Sequence, residues 1–274
     1  MMRPTSRAII AALAAALVAG CGSDSPNAPA TPQHTLDVAA ILSQMSIGRV
    51  SSVPGASAVL SLPAPIGVPA IALSACPFSS SIQGFTCPTV SSAGLTFDIS
   101  YFLYDAAGHA QSVADASTTA TVRTVVDTKG TANVPPTNGV SGTVVVVDHS
   151  DMTMSGLLTP PHTLNGNETS HYDLTLTGAT PLHAVIDQTS VTKNVVLPTA
   201  SDASSAVFPL SGTITTDSKT VTSIASLGTI AVTAHSVITF NGTSKATIVY
   251  TTSLSATVTT CMIDLNGNSP PVCS

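Results

Sequence analysis

The 274-residue sequence predicts an antiparallel all-β protein of about ten strands, folded as a sandwich or as a strongly curved sheet closing part-way into a barrel. Three observations carry that expectation. From Gly94 onward, apolar residues alternate with Thr, Ser and Asp at period two, the spacing of a strand with one buried face. Charged residues make up only 8% of the chain, so Thr and Ser supply the polar surface, and β-branched side chains pack well on a pleated face. Turn pairs then punctuate the alternation: Asn138-Gly139, Asn165-Gly166, Asp217-Ser218, Asn241-Gly242 and Asn266-Gly267.

Taken in order, residues 1–20 form a three-part export signal. Arg3 and Arg7 make a basic start, residues 8–19 an apolar core too short to span a bilayer, and small residues follow. The segment ends in Leu17-Val18-Ala19-Gly20-Cys21. This run resembles the lipobox of bacterial lipoproteins, and the resemblance covers residues 1–21 only. It implies cleavage between Gly20 and Cys21 and a thioether-linked diacylglyceryl group on Cys21, with fatty acids such as palmitate completing the anchor. It also implies a place in the cell envelope, attached to the membrane through Cys21. Gly22 rather than Asp after the cysteine points to the outer membrane, facing the periplasm or the cell surface.

Residues 21–34 read as a disordered tether rich in Ser, Pro, Ala and Asn, and residues 35–274 as a single β-rich domain. Thr35 can cap one short N-terminal helix, with Asp37 in its first turn, and Gly48 closes it. Leu36, Ala39, Ala40, Leu42 and Met45 form its apolar stripe. Residues 52–75 carry four prolines, which argue for an extended segment over the core or along an edge.

Strands are predicted at 96–104, 118–126, 141–148, 152–158, 171–177, 184–197, 206–216, 229–240 and 246–260. In the first, Phe97, Ile99, Tyr101 and Leu103 face inward opposite Asp98 and Ser100, which puts Phe102 and Tyr104 on the outer face. In the last, Ala246, Ile248, Tyr250, Leu254, Ala256 and Val258 are expected inside. The Thr/Ser faces of these strands argue against a transmembrane barrel, which needs a lipid-facing apolar band and aromatic girdles.

The chain has five cysteines. With Cys21 set aside for lipid, Cys76, Cys87, Cys261 and Cys273 allow three pairings, and short loop closure favours 76–87 with 261–273. A zinc site is the rival, but it lacks close Cys spacing, and export favours disulfides.

Net charge is −6, and removal of Arg3 and Arg7 with the signal takes it near −8. No basic cluster exists, which argues against nucleic acid as a partner. No G-x-S-x-G elbow is present. Glu168 is the only glutamate, Asp148 and Asp151 are the closest acidic pair in a predicted bend, and Trp is absent, which weakens glycosidase and carbohydrate readings. His149 with Met152 and Met154 is a weak soft-metal candidate, since strand parity separates the histidine from the methionines. Calcium held by Asp148, Ser150 and Asp151 is no stronger. The sequons at Asn167 and Asn241 fall in turn-like text and carry no weight.

No cofactor is expected. The preferred function is therefore a non-catalytic, lipid-anchored envelope protein with a disulfide-stabilised β-domain and a structural or interaction role. A carrier of an apolar ligand inside a curved sheet is the first alternative, an envelope hydrolase the second.

Overall fold

The computed structural model describes residues 73–137, 140–178, 181–198, 208–225, 228–265 and 272–274. The expected signal, tether and helix, and nearly all of the proline-rich segment, lie outside the described residues.

A 3-10 turn at Leu73–Ala75 leads into three short strands, β1 (Phe78–Ser79), β2 (Gly84–Thr86) and β3 (Val90–Ser92). Two-residue hairpin chemistry launches the long ones: Ala93 and Gly94, with φ of 53° and 84°, join β3 to β4 (Leu95–Tyr104). Positive φ at both central residues matches the right-handed twist of the flanking strands. β5 (Thr121–Thr137), β6 (Val140–Ser155), β7 (His162–Thr177), β8 (Leu182–Leu197) and β9 (Ser211–Ile224) follow. The chain then runs through β10 (Gly228–Thr239), β11 (Lys245–Thr252), β12 (Ser255–Asp264) and β13 (Val272–Cys273).

All of these strands belong to one 13-stranded sheet whose spatial order follows chain order, save that β3 leaves the path and pairs with β4. Every pairing is antiparallel. The path has two ends, β1 and β13, so the sheet is open rather than closed into a barrel. Of the expected architectures, a single sheet is found, and no second sheet stands among the described residues.

Alternation decides which face is buried. Leu95, Phe97, Ile99, Tyr101 and Leu103 of β4 are all buried, and so are Val122, Val144, Val146, Met154, Leu164, Leu174, Val195, Ile214, Ile238 and Ile248 on the strands that follow. Each such side chain contributes about 1.5–3 kcal/mol when fully buried. This apolar face is interrupted. Two cross-strand rows on its middle are polar: Ser150–Glu168–Ser190–Thr216–Ser236 and Asp148–Ser170–Gln188–Ser218. Ser170 Oγ donates to Asp148 Oδ1 at 2.7 Å, and the Ser190 and Thr216 hydroxyls lie 2.7 Å apart, so buried polar atoms in these rows satisfy one another.

Several local expectations need correction. The two strands expected at 141–148 and 152–158 are one, β6, because Ser150 and Asp151 continue the alternation without a bend. Asn165-Gly166 lies within β7 rather than at a turn, and Asn165 faces a bulge of the neighbouring strand, where Lys193 and Asn194 of β8 together oppose it. There the Asn165 side-chain oxygen accepts the Asn194 backbone N–H at 2.8 Å, and a Cβ on Gly166 would strike the Asp151 carbonyl. Asp217-Ser218 lies mid-strand in β9. The single run expected at 246–260 is a hairpin, β11–β12, turning at Ser253-Leu254. Leu254 and Val258, expected inside, are consequently exposed. Asn138-Gly139 and Asn266-Gly267 lie outside the described residues, whereas Gly242, at φ 78°, sits in the β10–β11 turn as expected.

Disulfides join Cys76 to Cys87 and Cys261 to Cys273. The first ties the entry of the sheet to the segment between β2 and β3, and the second clamps the short edge strand β13 to β12. Each closed loop of this size is worth about 3 kcal/mol in the chain-entropy estimate.

Candidate functional site

The face opposite the core is where side chains remain available. Its residues fall into cross-strand rows, because each strand pairs in register with the next. One row runs Asp127, His149, Thr169, Thr189, Asp217, His235 and Thr251 from β5 to β11. The next runs Lys129, Val147, His171, Asp187, Lys219 and Thr233 from β5 to β10. Together they line an open groove of about 840 Å³ across β6 to β11. Hydroxyl, imidazole and carboxylate side chains line it, although carbon atoms make up most of the wall.

Histidine–aspartate pairs organise this surface. His149 Nδ1 lies 2.7 Å from Asp127 Oδ1, His171 Nδ1 2.7 Å from Asp187 Oδ1, and His235 Nδ1 2.7 Å from Asp217 Oδ1. In each case the two residues are direct cross-strand partners. His183 is paired diagonally and the other way round, through Nε2, at 2.8 Å from Asp173. All four rings are well exposed. Next to the groove, Arg123 donates to both carboxylate oxygens of Asp151, at 2.7 and 2.6 Å, and its guanidinium lies 5.0 Å from the Phe102 ring centre. The Arg123 hydrogen bonds hold the Asp151 carboxyl below its ordinary range.

The residues singled out in the sequence are distributed as follows. Met152 and Met154 are buried in the core while His149 stands on the opposite, exposed face, so the three form no common ligand set. Asp148 points into the core against Ser170, and Asp151 points out to Arg123, so the acidic pair is split between the faces and the calcium set with it. Phe102 and Tyr104 are half-buried on the outer face as expected, with the Phe102 ring packed close over Gly84. Asn167 lies within strand β7, not in a turn. The four described cysteines are all in disulfides. Gly20 and Cys21 lie outside the described residues.

Strand parity already separates His149 from the methionines in the sequence, but the aspartate partners of the histidines are not legible there. The signal was the matching parity of each His and Asp on adjacent strands; using it required the register.

Neither a family model, nor a curated protein, nor a solved structure matches this chain. Among the described residues no helix is long and apolar enough to cross a membrane, and no group of three His, Cys, Asp or Glu side chains is gathered as a metal centre.

Proposed function

We propose that the protein is a lipid-anchored component of a bacterial cell envelope that works by binding rather than by catalysis. Cys21 is the anchor, and the β-sheet domain is the displayed part, with its polar groove turned to solvent. The observation that carries this reading is the cysteine arrangement. Two disulfides close at the two ends of the sheet, as suits an oxidising compartment, and they account for every cysteine of the five except Cys21. The setting of that residue in Val18-Ala19-Gly20-Cys21 supplies its role. Two or more acyl chains there are enough for stable attachment, where a single chain is not. Gly22 supports placement at the outer membrane.

Binding is favoured over hydrolysis by the groove itself. His149, His171 and His235 each turn Nδ1 to a carboxylate, but their other row neighbours are Thr169, Val147 and Thr251, none of them a serine, and the Asp148/Asp151 pair is divided between faces. Metabolic labelling with radioactive palmitate tests the anchor. Wild-type protein should take up label and Cys21→Ala should not; equal uptake by both would overturn the proposal.

A further inference from the structure

We propose that His149 and His171 form a binding site for a divalent transition-metal ion of the zinc or copper kind, on the exposed seam between β6 and β7. This goes beyond the envelope-anchor reading and does not depend on it.

Register places the two residues together. His149 pairs with Thr169 and His171 with Val147, so the histidines occupy one diagonal of a four-residue cluster on the groove face. Diagonal neighbours of this type have Cβ atoms about 7–8 Å apart or somewhat closer, within reach of two long side chains. Two imidazoles sharing one ion at about 2.0–2.1 Å each need their ligating nitrogens only about 3–4 Å apart.

The flanking carboxylates then orient both rings. Across the sheet the order is Asp127 on β5, His149 on β6, His171 on β7 and Asp187 on β8. Each histidine gives its Nδ1 to the aspartate on its outer side, at 2.7 Å. In imidazole the Nδ1 and Cδ2 edges lie on opposite sides of the ring. With Nδ1 turned outward, each ring turns its Cδ2–Nε2 edge toward the β6–β7 seam, His149 on the side of its cross-strand partner Thr169 and His171 on the side of Val147, with the two histidines offset by two residues along the strands. A carboxylate accepting from Nδ1–H fixes the tautomer and leaves the lone pair on Nε2. This carboxylate–histidine arrangement is the usual outer shell of a metal-binding histidine.

The surrounding charge suits a cation. Asp127 and Asp187 flank the pair; the nearby cations are Lys129, which contacts Asp98 at 3.4 Å, and Lys219, the cross-strand partner of Asp187. Two protein nitrogens leave further coordination positions for water, for the Thr169 hydroxyl beside His149, or for a donor from a bound partner. His235 is a built-in comparison. Its Nδ1 meets Asp217 at the same 2.7 Å, but its neighbour across β11 is Thr251, not a second histidine.

The test uses the full chain as purified from its expressing cells, with Zn²⁺ measured by calorimetry and Cu²⁺ by electron paramagnetic resonance. One Zn²⁺ per chain should bind, at least tenfold more weakly in His149→Gln and in His171→Gln, and unchanged in His235→Gln. Cu²⁺ should show hyperfine coupling to two imidazole nitrogens in wild type and to one in either single variant. Circular dichroism must match wild type; should a variant fail to fold, the two-nitrogen signal of the wild type decides alone. Equal weakening in His235→Gln, binding indifferent to both substitutions, or a one-nitrogen wild-type signal would each overturn the proposal.

Discussion

Tyr101 is fully buried in β4, and its hydroxyl has no hydrogen-bond partner among the described residues. Replacing it as Tyr101→Phe keeps the ring that fills the core and removes only the stranded oxygen. An unpaired buried hydroxyl costs about 1–3 kcal/mol, so the variant should be more stable than wild type by about 1 kcal/mol or more at pH 7. Alkaline pH widens the gap. Burial pushes the phenol from an ordinary 10.0 up to about 12. The unfolded chain therefore releases this proton first, and the folded state loses relative stability as pH rises above 10 toward 12. Across that window the loss is about 3 kcal/mol, roughly half of it reached by pH 11. The phenyl ring of the variant has no proton to lose and escapes this contribution. Urea unfolding of both proteins at pH 7 and pH 11, with disulfides intact and unchanged slope, reads the two effects separately. A variant less stable than wild type by 1 kcal/mol or more at pH 7, or one with the same alkaline loss, would refute the reasoning.

Further outcomes follow from the two-faced sheet. Met154→Ala, in the core, should cost about 2–5 kcal/mol, while Thr153→Ala, one residue away on the other face, should stay within about 0.5 kcal/mol; similar costs for both would contradict the assigned faces. Gly142→Ala should destabilise by at least about 1 kcal/mol, against the gain that glycine replacement often brings, because the new Cβ would run into the Thr175 carbonyl. Replacing Cys261 and Cys273 together by Ser should lower stability by about 3 kcal/mol, read as an earlier urea midpoint. Arg123 lowers the Asp151 pKa, so the stability linked to that carboxylate is present above its ordinary 3.8 and is lost as pH falls through the lowered value. In Arg123→Leu the acid-dependent loss should be smaller, which unfolding from pH 6 down to pH 2 would show.

Alternation made the faces of most strands legible from sequence. Phe97, Ile99, Tyr101 and Leu103 are buried as their spacing implies, and the cysteines pair as short loop closure favours. Parity cannot distinguish a turn from a continuing strand, however, where turn chemistry is missing or misplaced. Ser253-Leu254 turns without Gly, Asn or Pro, so a hairpin reads as one strand, and Leu254 is assigned to the wrong side. Asn165-Gly166 has the residues of a tight turn but continues β7 opposite a bulge in β8, where Asn165 satisfies the backbone donor of Asn194. The groove was hidden for a different reason. His149 and Asp127 are 22 residues apart and His171 and Asp187 16 apart, and only pairing register turns those separations into contacts. The polar rows across the buried face were also missed, because Ser150, Glu168 and Ser190 interrupt an apolar pattern that local spacing reads as surface.

The anchored, oxidised domain is the central claim, and an intact mass spectrum of native protein, extracted from membranes without reductant, tests it most directly. The predicted species starts at Cys21, carries diacylglyceryl and fatty-acyl mass on that residue, and has Cys76, Cys87, Cys261 and Cys273 all oxidised. A chain that retains residues 1–20, an unmodified Cys21, or free thiols among the other four would contradict it.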